Sequence, residues 1–430
     1  MDVIWAIFLF ALGACVGSFL NVVIYRMPRD ESIVFPGSHC PSCGRAIRWY
    51  DNIPLASWLL LGGRCRYCKC LISPRYLVVE AITALLVGGL WLCFYKLHVR
   101  EGVGEFLDTW PAYLAHAALL CGLLASALVD IEHWIVPLEV CWFVTGIGIV
   151  CATAWPAPPE LMPTVSPATG AMALAAAVGL VAALLLVKFG FIQRSFLDAA
   201  DKPAREPAPQ PKPTESRQAG GKRKRKKGKK KKKRKQLEHQ ADPPIAGVAI
   251  TKAHGVNPRT EVLREVVFLA PAIVLAIAAG LLVTEVQPVR QAWGSLTGPG
   301  GGRLAAHLNG LTGAIFGYLI GGLWIWGFRI LGTLGFGKEA MGLGDVHILA
   351  AVGAVCGWIA ASMAFFLAAF LALAWAVTIF AMRRQRELPY GPWLAGGALV
   401  AILFYDHLLE LLRPYATVVA MMGGATGNGP

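Results

Sequence analysis

Long apolar stretches constrain this chain more than any other feature. They cover roughly residues 3–24, 76–95, 111–129, 135–155, 167–189, 263–284, 305–331, 346–382 and 391–411. About 20 apolar residues in a helix cross the hydrocarbon core of a bilayer. The stretch 346–382 is too long for one crossing, so we expect it to fold back near Gly357 and Trp358. The sequence therefore predicts an all-α polytopic membrane protein with about ten transmembrane helices.

Charge is scarce outside one segment of the chain. Only 15% of the residues are charged, whereas soluble domains average about 25%. The formal net charge of +14 comes almost entirely from the run KRKRKKGKKKKKRK, which begins at Lys222 and ends at Lys235 and holds 13 basic residues. Because the remainder is nearly neutral, we expect no nucleic-acid partner.

Basic residues also predict the orientation in the membrane. Arg26 and Arg29 follow the first apolar stretch, which lacks a basic n-region and is predicted to be a retained helix. The positive-inside rule places these arginines in the cytoplasm. With ten crossings the cytoplasmic segments are 25–75, 130–134, 190–262, 332–345 and 383–390, and they hold most of the basic residues.

This topology puts two aspartates at one depth. Asp130 ends one apolar stretch and Asp345 opens another, both at the cytoplasmic side. Ionisable residues at the edge of membrane-depth sequence are costly, so a functional role is their default interpretation. Asp345 follows Gly342 and Gly344 in the motif MGLGD at 341–345. Two glycines permit a bent backbone that would aim Asp345 inward.

Paired carboxylates allow the chemistry of an aspartic protease. Close carboxylates share one proton, so one can activate water while the other donates to the oxyanion and the leaving amine. Helix dipoles favour an ionised Asp345 and a protonated Asp130. Alternatives stay open: a helix N-cap at Asp345, two unrelated helix-end carboxylates, or a proton-coupled transporter.

A second motif indicates a metal site. Cys40, Cys43, Cys65 and Cys68 have the spacing C-x2-C-x21-C-x2-C. Four thiolates in tetrahedral geometry close a structural zinc site, which stabilises a loop and leaves no open position for catalysis. A redox C-x-x-C is the alternative. Cys70 is expected to be a bystander.

The lysine-rich run lies in a segment rich in proline, alanine and polar residues. We expect about 198–260 to be disordered, with the run bound to anionic lipid headgroups. Ribosome or nucleic-acid contact is the less favoured alternative.

The motifs in combination resemble the bacterial type IV prepilin peptidases. GSFLNVVIYRMP at 17–28 and the cysteine block at 40–80 are similar to the N-terminal part of that family. ALVDIEHWIVP at 127–137 and MGLGDVHILAAVGAVCGW at 341–358 resemble its two catalytic motifs, with Asp130 and Asp345 in the positions of the paired aspartates. LPYGPWLAGGAL at 388–399 resembles its late turn and last helix.

The resemblance implies a bifunctional enzyme of the bacterial inner membrane. Its active site would face the cytoplasm and cleave the short basic leaders of prepilins and pseudopilins after a glycine. The enzyme could then methylate the new N-terminus. S-adenosylmethionine is thus a possible cofactor beside structural zinc, although no glycine-rich fingerprint marks where it binds. Presenilin-like proteases also use GxGD, but they have tyrosine before the first aspartate, where this chain has Val129, and they lack the cysteine loop. A non-catalytic assembly scaffold is the other alternative.

The chain departs from this family in places. His347 stands where the family usually has lysine, Glu132 where aspartate is common, and Leu138 where an acid usually follows the proline. The expected division is a first helix at 1–24, the four-cysteine domain at 25–75, helices with the first aspartate at 76–156, an inserted helix pair at 157–300, the C-terminal catalytic part at 301–411 and a tail at 412–430. We expect the inserted pair to be peripheral and to contribute no catalytic group.

Overall fold

The fold is described from a computed structural model, which covers residues 2–155, 161, 163–193, 195, 258–337, 339–381 and 389–422. The described chain is helical, with two isolated β-bridges between residues 39 and 71. Its helices are α1 (Asp2–Arg26), α2 (Ala56–Leu60), α3 (Arg75–Tyr95), α4 (Phe106–His133), α5 (Leu138–Ala154), α6 (Pro167–Lys188), α7 (Pro258–Glu285), α8 (Gln287–Thr297), α9 (Gly302–Phe336), α10 (Leu343–Ala381), α11 (Gly391–Leu403) and α12 (Tyr405–Met422).

Seven of these helices are long and apolar enough to cross a membrane, namely α1, α3, α4, α6, α7, α9 and α10. The number rises to eight if α11 and α12 form one bent span. Helix α5 is apolar but falls in the shorter class of 10–17 residues. The predicted all-α polytopic architecture is confirmed. The expected count of about ten includes α5 and treats α10 as two crossings, and it stays a prediction.

Helix α10 reverses direction at Gly357, as the sequence predicted. Gly357 has φ 86° and ψ 168°, a non-helical conformation that glycine adopts most readily. Before this break α10 runs antiparallel to α9, and after the break it runs parallel to α9. The contacting pairs are Gly321–Leu349 and Gly317–Gly353 before the break, and Phe316–Trp358 and Trp324–Phe365 after it. The chain therefore folds back alongside α9.

The expected last span at 391–411 is bent rather than straight. Helix α11 ends at Leu403, and α12 leaves it at an angle of 86°. Asp406, Glu410 and Arg413 give α12 a charged face that would be costly in hydrocarbon. Helix α12 continues to Met422, so the predicted tail at 412–430 begins inside a helix.

The inserted helix pair packs on α9. Gly179 of α6 touches the backbone of Ala272 in α7, and Gly170 of α6 lies against Thr312 of α9. Small residues of this kind let membrane helices approach closely. Helix α7 begins at Pro258, so the last residues of the expected disordered loop are helical. The rest of that loop, including the lysine-rich run, lies outside the described residues.

The four-cysteine segment is fastened to the start of α3. The buried carboxylate of Glu80 accepts the backbone N–H of Leu55 at 2.7 Å. The amide of Asn21 in α1 donates to the carbonyl of Tyr76 at 3.2 Å. At the same end of the bundle Arg75 pairs with Glu132 of α4 at 2.7 Å. The cysteine segment, the end of α4 and the start of α3 therefore share one end of the protein.

Candidate active site and metal site

Asp130 lies in the last turn of α4, and its position is fixed by a second helix. Helix α4 runs to His133 and closes with Trp134 at φ 58°. The buried Asp130 accepts the backbone N–H of Gly391 at 2.9 Å through Oδ2. Gly391 is the first residue of α11, so this N–H has no partner inside its own helix. Asp130 thus sits at the positive end of α11.

Asp345 lies in the first turn of α10, at the same end of the bundle. The preceding residue, Gly344, packs directly on the segment between α4 and α5. A Cβ at position 344 would lie 2.5 Å from Cβ of Val136, so only glycine fits there. A Cβ at Gly342 would meet Oδ2 of Asp345 at the ordinary distance of 3.7 Å. Close approach at Gly344 is therefore what fixes the start of α10.

The structure brings the two predicted aspartates together. The carboxylates of Asp130 and Asp345 are close enough for their charges to repel each other. Tyr390 and Cys141 also lie close enough to Asp345 for its charge to act on their side chains. Two carboxylates that share a partly enclosed site can hold one proton between them. This arrangement has the elements of general acid and general base catalysis.

The four predicted cysteines also come together. The sulfur atoms of Cys40, Cys43, Cys65 and Cys68 all lie within 4.8 Å of one another. That spacing suits a tetrahedral ion with metal–sulfur bonds of about 2.3 Å. The backbone N–H of Cys43 points at the Cys40 sulfur and lowers the pKa of that thiol, which favours the thiolate that binds metal. The cluster could therefore hold a metal ion such as zinc.

Comparisons with known proteins identify similar chains. The family described as "Bacterial Peptidase A24 N-terminal domain" matches residues 11–94. The chain is 47% identical over 154 residues to a prepilin leader peptidase/N-methyltransferase of Myxococcus xanthus. The matched stretch is 36% of this chain and 41% of that protein. These matches support the predicted resemblance to the bacterial type IV prepilin peptidase family.

Two further relatives carry similar names. A prepilin leader peptidase/N-methyltransferase of Pseudomonas aeruginosa is 39% identical over 149 residues, which are 29% of this chain and 47% of that protein. A type 4 prepilin-like proteins leader peptide-processing enzyme of Escherichia coli O78:H11 is 36% identical over 172 residues, 36% of this chain and 59% of that protein. The chain thus spans about half the length of the relatives it matches. No solved structure shows significant similarity to it.

Two residues that depart from the prepilin peptidase pattern, Glu132 and His347, contact side chains other than the paired aspartates. The carboxylate of Glu132 forms an ion pair with Arg75. His347 is half-buried, with Nδ1 at 3.4 Å from the hydroxyl of Tyr318. Both therefore have partners of their own.

Some residues of these sites were missed by sequence reasoning. The N–H of Gly391 and the nearby Tyr390 belong to a turn that the sequence marked only as LPYGP. The fifth thiol, Cys70, was expected to be a bystander, yet its sulfur lies 3.5 Å from that of Cys40. A glycine at the start of a helix after Pro-Tyr was the available signal for Gly391. Nothing in the spacing distinguished Cys70.

Proposed function

We propose that this chain is a membrane-embedded aspartic endopeptidase that removes the leaders of prepilins or pseudopilins. The observation that carries the proposal is the meeting of Asp130 and Asp345 from α4 and α10 in a chain that resembles prepilin leader peptidases. The carboxylates lie at the same end of the bundle as Arg75 and the cysteine segment. By the positive-inside rule that end faces the cytoplasm of a bacterial inner membrane.

The dyad performs hydrolysis by passing protons in both directions. The N–H of Gly391 stabilises negative charge on Asp130, so Asp130 is the base and Asp345 holds the shared proton. The expectation from helix dipoles alone was the opposite assignment, with Asp345 as base and Asp130 as acid, and it did not include that N–H. Asp130 takes a proton from a water molecule as the water oxygen attacks the scissile carbonyl carbon, and Asp345 protonates the carbonyl oxygen. The C–N bond then breaks as Asp130 gives its proton to the nitrogen of the leaving amine. The proton on the former carbonyl oxygen returns to Asp345.

Zinc in the cysteine cluster would be structural. Cys40, Cys43, Cys65 and Cys68 would supply all four ligands, so no position remains for water or substrate. The ion would hold two loops together beside α3 and take no part in hydrolysis.

Methylation of the new N-terminus is a further part of the proposal, and it rests on the names of the relatives. S-adenosylmethionine would supply the methyl group. Among the described residues no glycine-rich loop follows a strand, so no step is assigned to particular side chains. The lysine-rich run from Lys222 to Lys235 would bind anionic headgroups of the same membrane.

Co-expression with a type IV prepilin tests this function. The wild type should convert the prepilin to a shorter form with higher mobility on a gel, and Asp345→Asn should leave it unconverted while still inserting in the membrane. No conversion by the wild type, with correct insertion and several prepilins supplied, would favour the scaffold alternative.

A further inference from the structure

A buried ionic cluster that the proposed hydrolysis does not use lies at the end of α9. Arg329 is 1% exposed, and its Nε donates to Oε1 of Glu265 at 2.8 Å. Its Nη1 donates to Oε1 of Glu339 and to the carbonyl oxygen of Met341, each at 2.6 Å. One guanidinium therefore joins the inserted helix α7 to the loop that precedes Asp345.

Glu265 is engaged through both carboxylate oxygens. It is 3% exposed and belongs to α7. Its Oε1 also accepts the hydroxyl of Ser195 at 3.2 Å, and its Oε2 accepts the indole N–H of Trp326 at 3.2 Å. Buried charges are tolerated when they are paired and hydrogen-bonded in this way. Glu265 is thus the buried counter-charge of Arg329, whereas Glu339 is 46% exposed.

The loop between α9 and α10 is held at two points near the candidate dyad. Helix α9 closes with Gly337 at φ 69°, and α10 begins at Leu343. The carbonyl of Met341 is bound by Arg329, and Gly344 rests on Val136. Asp345 follows directly, so the hold on Met341 and the contact at Gly344 together fix where α10 starts.

We propose that Glu265 and Arg329 are positioning residues that set Asp345 against Asp130. Glu265 holds the guanidinium in the plane where Nη1 reaches the carbonyl of Met341. This inference rests on the proposed peptidase function. It gives the inserted helix α7, which we expected to be peripheral, a role in positioning Asp345, although α7 still contributes no catalytic group.

A neutral isostere at Glu265 tests the role, with Glu261 as the matched control. Glu261 is on the same helix, is 2% exposed and pairs with Arg264 at 2.7 Å. In purified protein, Glu265→Gln should lower kcat for prepilin cleavage on the order of 100-fold with little change in KM, since small misplacements of reacting groups have effects of that size. Glu261→Gln should keep kcat near the wild-type value.

A charge exchange separates positioning from simple stabilisation. E265R combined with R329E restores a buried ion pair, but a carboxylate at 329 cannot donate to the carbonyl of Met341. The double variant should therefore be more thermally stable than either single variant and remain slow in cleavage. Recovery of kcat together with stability would overturn the proposal, because the pair alone would then suffice.

Hydrogen exchange gives a readout that does not depend on cleavage. Residues 339–344 should exchange faster in Glu265→Gln than in Glu261→Gln, and equal exchange would contradict the proposal. The two hypotheses fail in different ways. A wild type that cleaves no prepilin refutes the proposed function, whereas an active wild type with equal kcat in the two glutamine variants refutes only the positioning role.

Discussion

Replacing Gly391 with alanine tests how Asp130 is held. A Cβ at this position would lie 2.6 Å from Oδ2 of Asp130 and 3.3 Å from its Cγ. Gly391 has no positive φ, so alanine is conformationally acceptable there and the clash alone decides the outcome. An ordinary contact begins at 3.4 Å, so the carboxylate must retreat by roughly 0.8 Å.

That displacement predicts a large effect on catalysis and a smaller one on stability. A shift near 1 Å in a reacting group can lower a rate by about 100-fold, and overpacking costs about 1–3 kcal/mol. Gly391→Ala should therefore fold and insert, yet cleave prepilin about 100-fold more slowly in a purified assay that measures kcat. The control is Gly396→Ala on the same helix, whose Cβ would meet only the flexible tip of Leu371 at 3.4 Å. Equal rates in the two variants would refute the view that the Gly391 N–H positions Asp130.

Three other predictions follow from the geometry of the two sites. Gly344→Ala should slow cleavage because its Cβ would meet that of Val136 at 2.5 Å, and adding Val136→Gly, which removes the opposing Cβ, should restore part of the rate; no recovery in the double variant would contradict the steric cause. Cys40→Ser should reduce the zinc content of purified protein, whereas Cys70→Ser should leave one ion per chain; equal loss from both would refute the four-ligand set. Deleting residues 222–235 should preserve cleavage and weaken binding to anionic vesicles, and unchanged vesicle binding would contradict the headgroup role.

The features that depend on local sequence were predictable. Apolar length gave the polytopic helical class, and the reversal at Gly357 followed from a stretch too long for one crossing. The C-x2-C pairs were sufficient to predict the cysteine cluster, since each pair is a local loop. Asp130 and Asp345 could be paired because an even number of inserted helices leaves both at one side of the membrane.

The features that depend on contacts between distant segments were not predictable. The N–H of Gly391 reaches an aspartate 261 positions away, and no spacing rule connects them. Glu265 looked like a residue at the edge of an apolar stretch, and only packing of α7 on α9 shows that it meets Arg329. Excising residues 160–300 as a unit would remove Glu265 and so take its buried counter-charge away from Arg329.

The central claim is that Asp130 and Asp345 act as one catalytic unit on a prepilin leader. The direct measurement is single-turnover cleavage of a prepilin by purified wild type, Asp130→Asn, Asp345→Asn and the double variant, with the products identified by mass spectrometry. Residues that act as a unit are strongly non-additive, so each single variant should lose as much activity as the double variant. Cleavage of the leader at near the wild-type rate by either single variant, folded and inserted, would contradict a shared catalytic role.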